Sequence, residues 1–207
     1  MHSNSIQKLA DIFSKFPTVG SRTAARFAFY LAKLNKKETK ELLEAVIELK
    51  NKTATCSFCF NVFEKEKGNG TLCGICSNPA RDRQTICIVE KEADLQSIEQ
   101  TKKYKGLYFV LGGTLSPLRK ESVKKIRIKD LVERIKNPKK HGLEGPVKEI
   151  IIATNFTSQG EVTALYLERT IKSFGIKTTR LARGLPTGSE IEYIDEETIS
   201  SALEGRK

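Results

Sequence analysis

Apolar residues near the start of the chain recur at helical spacing. Ile6, Leu9, Phe13 and Phe16 fall three and four apart, which predicts a single apolar helix face. Pro17-Thr18-Val19-Gly20 breaks that helix, and Ser21 stands where a side-chain N-cap would begin the next one. Ala24, Ala25, Phe27, Ala28 and Leu31 continue a second helix whose small residues permit close packing. Leu42, Leu43, Val46, Ile47 and Leu49 then predict a third, amphipathic helix that closes the module. From residue 86 onward, strand-like runs alternate with helical periods. Strands are predicted at Ile86–Glu90, Leu107–Leu111, Glu149–Thr154 and near Lys177–Ala182. Helices are marked by Leu95 and Ile98, by Ile128, Leu131, Val132 and Ile135, and by Val162, Leu165, Tyr166 and Arg169. This alternation predicts an α/β fold with a parallel sheet covered by helices. Ile191–Glu196 looks like a Walker B strand end, but no G-x-x-x-x-G-K-[ST] loop accompanies it, so it reads as a packing strand.

Charge narrows the choice of partner. The chain has 207 residues, 36 Lys+Arg against 25 Asp+Glu, and a net charge of +11, which favours a polyanionic partner such as nucleic acid or an anionic membrane surface. The excess sits in two blocks: residues 1–53 carry +5 and residues 101–140 carry +10, while 54–100 and 141–207 each carry −2. No apolar run approaches ~18 residues, and Met1–Ala10 lacks the apolar stretch of a signal peptide, so neither a membrane-spanning nor a secreted protein is expected. Five cysteines, an odd number, argue against a disulfide scaffold and for a reducing cytosol.

The first two predicted helices resemble a helix-hairpin-helix, which grips nucleic-acid backbone without reading sequence. Such a hairpin sets backbone N–H groups and a helix N-terminus against a phosphate. Arg22 and Arg26 lie four apart just after it and are placed to add charge-assisted phosphate contacts. An ordinary helix pair with exposed arginines would share the pattern. Thr18 replaces the first hairpin glycine of the motif, which leaves Gly20 for the close backbone approach.

Cys56-Ser57-Phe58-Cys59 and Cys73-Gly74-Ile75-Cys76 form two C-x-x-C turns separated by thirteen residues. Four thiolates so arranged suit one tetrahedral zinc ion, and with no position left for water the zinc is expected to be structural. Cys87 lies inside an apolar strand and is expected to fill the core.

Functional groups of a parallel α/β sheet collect beyond the carboxyl ends of its strands. Glu90, Gly112-Gly113 and Asn155–Glu161 stand there, a layout that resembles the Toprim domain, in which a first-strand glutamate and a D-x-D motif hold magnesium. Here the D-x-D positions are Asn155 and Thr157, leaving Glu90 and Glu161 as isolated carboxylates. Magnesium needs anionic oxygen ligands, so metal-assisted phosphodiester chemistry is not expected. His2 and His141 sit beside no nucleophile, and Ser116 reads as a turn residue before Pro117.

These modules, in this order, resemble the bacterial recombination-mediator RecR family over nearly the whole chain. The resemblance rests on Arg81-Asp82-Arg83 leading into Ile86–Glu90 and Asp94, on Leu111–Pro117, Ile152–Glu161 and Thr179–Pro186, and on Ile191–Glu196 with Ala202–Arg206. It implies four parts: a helix-hairpin-helix at 1–53, a four-cysteine zinc finger at 54–80, a Toprim-like domain at 81–175, and a C-terminal Walker-B-like segment at 176–207 serving oligomerisation. It implies a non-enzymatic, cytoplasmic, nucleoid-associated protein that forms dimers and tetrameric rings around double-stranded or gapped DNA. With RecO and RecF, such proteins load RecA onto gapped DNA coated by single-strand-binding protein. Gly20, Arg22 and Arg26 would then face DNA, and the surface at Glu90 and Asp94 would meet RecO.

Two features depart from the family pattern: the thirteen-residue gap between knuckles is long, and Arg119–Lys129 is unusually basic and suggests a second DNA contact. Two other functional classes make different demands. A Toprim nuclease or primase-like enzyme requires the missing D-x-D, and a zinc-ribbon regulator requires a base-reading helix that the sequence does not offer.

Overall fold

The computed structural model describes residues 4–65, 70–116 and 126–206. The chain divides into two units, Met1–Thr53 and Ala54–Lys207. Most of the basic Arg119–Lys129 stretch, with His2 and Pro117, lies outside the described residues.

The first unit holds α1 (Asn4–Phe13), α2 (Ser21–Lys33) and α3 (Lys36–Lys52). Ala10, Ala24 and Ala28 are buried where α1 meets α2, with Ile6, Leu9, Phe13 and Val19 packed against them. Phe13 sits edge-on to Phe16 at 5.5 Å and to Phe27 at 5.7 Å. Three expectations change here. First, α1 ends at Phe13, so Phe16 leaves the helix face and rides half exposed on the turn. Second, the N-cap of α2 is Gly20, whose carbonyl accepts from Ala24 N–H at 2.9 Å, and Ser21 is already helical. Third, α3 does not close the module, because it buries no residue and leaves Leu42, Leu43, Val46, Ile47 and Leu49 exposed. Its stability is local. Asn35 and Glu38 form a capping box, and Lys37–Glu41, Lys40–Glu44 and Glu48–Lys52 pair one turn apart.

In the second unit β1 (Thr53–Thr55) pairs with β2 (Val62–Glu64), and the short α4 (Gly74–Ser77) carries the second knuckle. The main sheet contains β3 (Asp82–Val89), β4 (Gly106–Val110), β5 (Glu149–Ala153) and β6 (Lys177–Arg180) in the order β4-β3-β5-β6. All of its pairings are parallel, with Ile86 opposite Leu107 and Ile150, and Val89 opposite Val110 and Ala153. The crossovers use α5 (Glu92–Gln100), α6 (Ile128–Lys136) and α7 (Ser158–Lys172), and α8 (Glu196–Glu204) ends the described chain. Ile86, Cys87, Ile88 and Val89 are all buried, as expected of a central parallel strand covered on both faces. Cys87 fills the core, and burial pushes its thiol up to about 12.

All five residues of β4 are buried although it is an edge strand. The cysteine finger covers that edge: Val110 N–H donates to the Cys59 carbonyl at 2.9 Å, and Phe60 packs edge-on to Phe109 at 5.5 Å. Finger and sheet therefore share one hydrophobic core.

Helix α7 forms where Val162, Leu165, Tyr166 and Arg169 mark it, but these are not the residues it buries. Val162, Leu165 and Tyr166 are exposed, whereas Gly160, Thr163, Ala164, Leu167 and Ile171 are buried. The reason is steric. A Cβ on Gly160 would lie 1.9 Å from the Asn155 carbonyl oxygen, so this turn reaches the sheet only through its bare glycine, which sets the rotation of the helix. Ile191–Glu196 is not a strand either. Ile191–Tyr193 form a 3-10 turn, and the Asp195 carboxylate caps α8 by accepting from Thr198 N–H at 2.9 Å. Among the described residues no helix is long and apolar enough to cross a membrane.

Candidate nucleic-acid interface and metal centre

The hairpin between α1 and α2 leaves a helix N-terminus open. Gly20 has no side chain to cap it, and the first turn of α2 contains no acidic residue, so its N–H groups keep their partial positive charge. A Cβ on Gly20 would meet nothing within 4 Å inside the chain. The space its absence leaves is open to a ligand. Arg22 and Arg26 rise from the first two turns, both exposed, and among the described residues neither pairs with a carboxylate. Gly20, Arg22 and Arg26 are thus brought together on one short segment.

Thr18 occupies the position of the motif's missing glycine, and its φ is +64°, in the left-handed region. A β-branched residue is strained there by about 1–2 kcal/mol. Thr18→Gly is therefore expected to stabilise the protein by up to about 1 kcal/mol, after the extra entropy of an unfolded glycine is deducted. Chemical denaturation of the two proteins checks this, and an unchanged or lower midpoint would show that the turn carries no such strain.

The four knuckle cysteines converge. The sulfurs of Cys56, Cys59, Cys73 and Cys76 lie within 4.8 Å of one another, and all four residues are buried free thiols. Tetrahedral coordination at ~2.3 Å sets sulfurs about 3.8 Å apart, and Cys59 and Cys73 stand at 3.6 Å. Backbone N–H groups already point at the sulfurs, Asn61 to Cys59 at 3.5 Å and Cys73 to Cys56 at 3.4 Å. Packed thiols cannot all ionise unaided. Hydrogen bonds from Cys59, Cys73 and Cys76 pull Cys56 far down, while Cys56 and its neighbours push Cys59 and Cys76 up. A dication removes that conflict, so the donor set fits a metal ion.

Arginines brace both knuckles. Arg83 donates to the Cys76 carbonyl at 3.1 Å. Arg134, from α6, is 3% exposed and donates to the carbonyls of Phe58 at 2.8 Å, Ser57 at 2.7 Å and Asp130 at 2.9 Å. Sequence reasoning missed Arg134. Its one signal is a basic residue on the apolar stripe of Ile128, Leu131 and Ile135.

At the carboxyl ends of the strands, Glu90 is 8% exposed. Its oxygens accept from Asn155 N–H at 2.8 Å and from the Asn155 side-chain amide at 2.6 Å. Thr157, the other D-x-D position, caps α7 by accepting from Gly160 N–H at 3.1 Å. Glu161 is engaged by cations: Arg180 and Arg183 donate to its oxygens at 2.8 and 2.7 Å. The Arg180 guanidinium, aided by Arg183 and opposed by burial, holds its carboxyl below the usual range. Asp94 accepts from Lys91 N–H at 3.1 Å and so closes the start of α5. Each of these carboxylates is thus committed to a structural partner.

The family models agree with the geometry. The RecR helix-hairpin-helix model matches residues 6–50, the Toprim domain model 84–182, and the RecR C-terminal model 184–207. Recombination protein RecR of Lactococcus lactis subsp. cremoris (strain MG1363) is 44% identical over 201 residues, covering 97% of this chain and 96% of the relative. The chain belongs to the RecR family. Recombination protein RecR of Chloroherpeton thalassium (strain ATCC 35110 / GB-78) is 40% identical over 204 residues, covering 99% of this chain and 97% of the relative. Membership places this RecR-family chain in recombinational repair.

Proposed function

We propose that this chain is a non-enzymatic recombination mediator, a sequence-independent clamp on double-stranded and gapped DNA that acts with RecO and RecF to promote RecA loading. The observation that carries the reading is the Glu90–Asn155 contact. Where a Toprim enzyme keeps carboxylates for a metal, this site spends its glutamate on an internal amide, so the sheet serves as a scaffold. Duplex contact is assigned to Gly20, Arg22 and Arg26, where an uncapped helix start and two exposed guanidinium groups suit phosphate without base readout.

The ion at Cys56, Cys59, Cys73 and Cys76 is taken to be one structural zinc. Four sulfurs leave no open coordination position for a substrate, and the bound ion supplies a cross-link between the knuckles. Self-association into dimers or a ring is supported by the uncovered apolar face of α3, since stripes of this kind mark interaction surfaces. Contact with RecO is assigned to the acidic start of α5, with Asp94 at its first turn and Glu90 holding the strand end beneath. A cytoplasmic, nucleoid-associated location follows from these partners.

The test is a gapped duplex coated with single-strand-binding protein and supplied with RecO, RecF, RecA and magnesium. Adding the chain should speed filament formation on the gap and leave the DNA uncut. Magnesium-dependent cleavage or primer synthesis that Glu90→Gln abolished would establish the Toprim-enzyme alternative instead.

A further inference from the structure

Arg134 is a buried cation without an ordinary counter-ion. Its hydrogen bonds go to three carbonyl oxygens, and among the described residues no carboxylate lies within ion-pair distance. Phe60, Phe109 and Phe58 surround it with ring centroids 4.5, 5.1 and 5.6 Å away, so water cannot replace the missing charge. An uncompensated buried guanidinium is unfavourable. Two of its three acceptors, the carbonyls of Ser57 and Phe58, lie between Cys56 and Cys59, so the guanidinium is held on the turn that carries two of the four sulfurs.

We infer that Arg134 is the electrostatic counterpart of the metal centre, a positioning residue that retains the ion by neutralising the charge of its thiolate cage. The inference rests on the zinc reading above. Zinc with four thiolates carries a net charge of −2, buried here beside the N–H···S contacts of Asn61 and Cys73 and the Arg134 guanidinium on the knuckle carbonyls. With metal bound, cage and guanidinium offset each other across the Ser57 and Phe58 carbonyls. Without it the thiols take up protons, and Arg134 keeps its charge in an apolar site. Coupling of this kind is reciprocal: the arginine raises metal affinity, and the metal makes the buried arginine tolerable. Arg83 differs because its guanidinium is only partly buried.

Two substitutions in the full chain separate charge from hydrogen bonding. Arg134→Gln keeps a donor and removes the charge, whereas Arg134→Lys keeps the charge and loses the fork. Zinc release to a chromophoric chelator at fixed pH is expected to be about 10–100-fold easier for the Gln variant than for wild type, with Lys between them. Thermal unfolding gives a second signature. Loaded Arg134→Gln should melt below loaded wild type, while the stripped variant should melt at or above stripped wild type.

Equal zinc affinity in wild type and Arg134→Gln, a Lys variant that releases zinc as readily as Gln, or the same melting deficit with and without metal would each overturn the inference and leave the zinc reading intact. A wild-type chain that takes up no stoichiometric zinc would remove both. If stripping unfolds the chain, the order of the Lys and Gln variants in the chelator competition decides alone.

Discussion

Replacing Arg22 and Arg26 together with alanine is expected to weaken binding to random-sequence duplex by about one to two orders of magnitude. Hydrogen bonds to charged groups contribute about 1.5–3 kcal/mol each, and solvent screening at exposed positions brings these two toward the low end. The salt dependence is the sharper readout. Each lost phosphate contact lowers the slope of log affinity against log salt by about 0.9, so the double variant should lose close to two. The fold should survive, because α2 is held by Ala24 and Ala28 on its opposite side and alanine favours helix. A double variant with unchanged affinity and slope would remove the hairpin from DNA contact. It would move the search to the basic 101–140 block, which carries +10.

Removing the metal, or replacing Cys59 with serine, is expected to destabilise the second unit as a whole rather than loosen one loop. Cys59 lies in the same core as the sheet, and its carbonyl holds the β4 edge through Val110 N–H. A ligand present at a thousandfold its dissociation constant stabilises by about 4 kcal/mol. A domain of this size shifts by about 2–4 °C per kcal/mol, so chelation should lower the melting midpoint by roughly 8–16 °C. The pH dependence has a definite sign. Metal-bound thiolates hold no protons, whereas released thiols are protonated near neutrality, so the stabilisation is present at higher pH and fades as acid returns protons to sulfur. Scanning calorimetry of loaded and chelated protein across neutral to mildly acidic pH measures both effects. A midpoint indifferent to chelator would mean that the sulfur cluster packs without an ion.

Some features depended on short-range pattern and were legible without coordinates. The parallel sheet was visible because strands buried on both faces read as unbroken apolar runs, as in Ile86–Val89. The four-sulfur cluster was visible because C-x-x-C places two sulfurs on one tight turn whatever surrounds it. The substitution of Asn155 and Thr157 into the D-x-D positions needed only residue identity. The capping box of Asn35 and Glu38 is equally local, a pattern of two residues three apart.

Helix faces were harder, since a period identifies an apolar stripe but not what covers it. Among the described residues the stripe of α3 stays exposed, and the inward face of α7 carries a glycine pressed against Asn155. The decisive contacts at both sites join residues far apart in the chain: Glu90 reaches Asn155 across 65 positions, and Arg134 reaches Phe58 across 76. By itself, then, the sequence determined the strands of the main sheet, the sulfur donor set and the absence of carboxylates at Asn155 and Thr157, because each is a property of neighbouring residues. Only the tertiary structure decided that Glu90 would be held by an amide and that a buried arginine would bond the carbonyls of the first knuckle, because burial and hydrogen bonding between distant segments exist only once they share one low-dielectric interior.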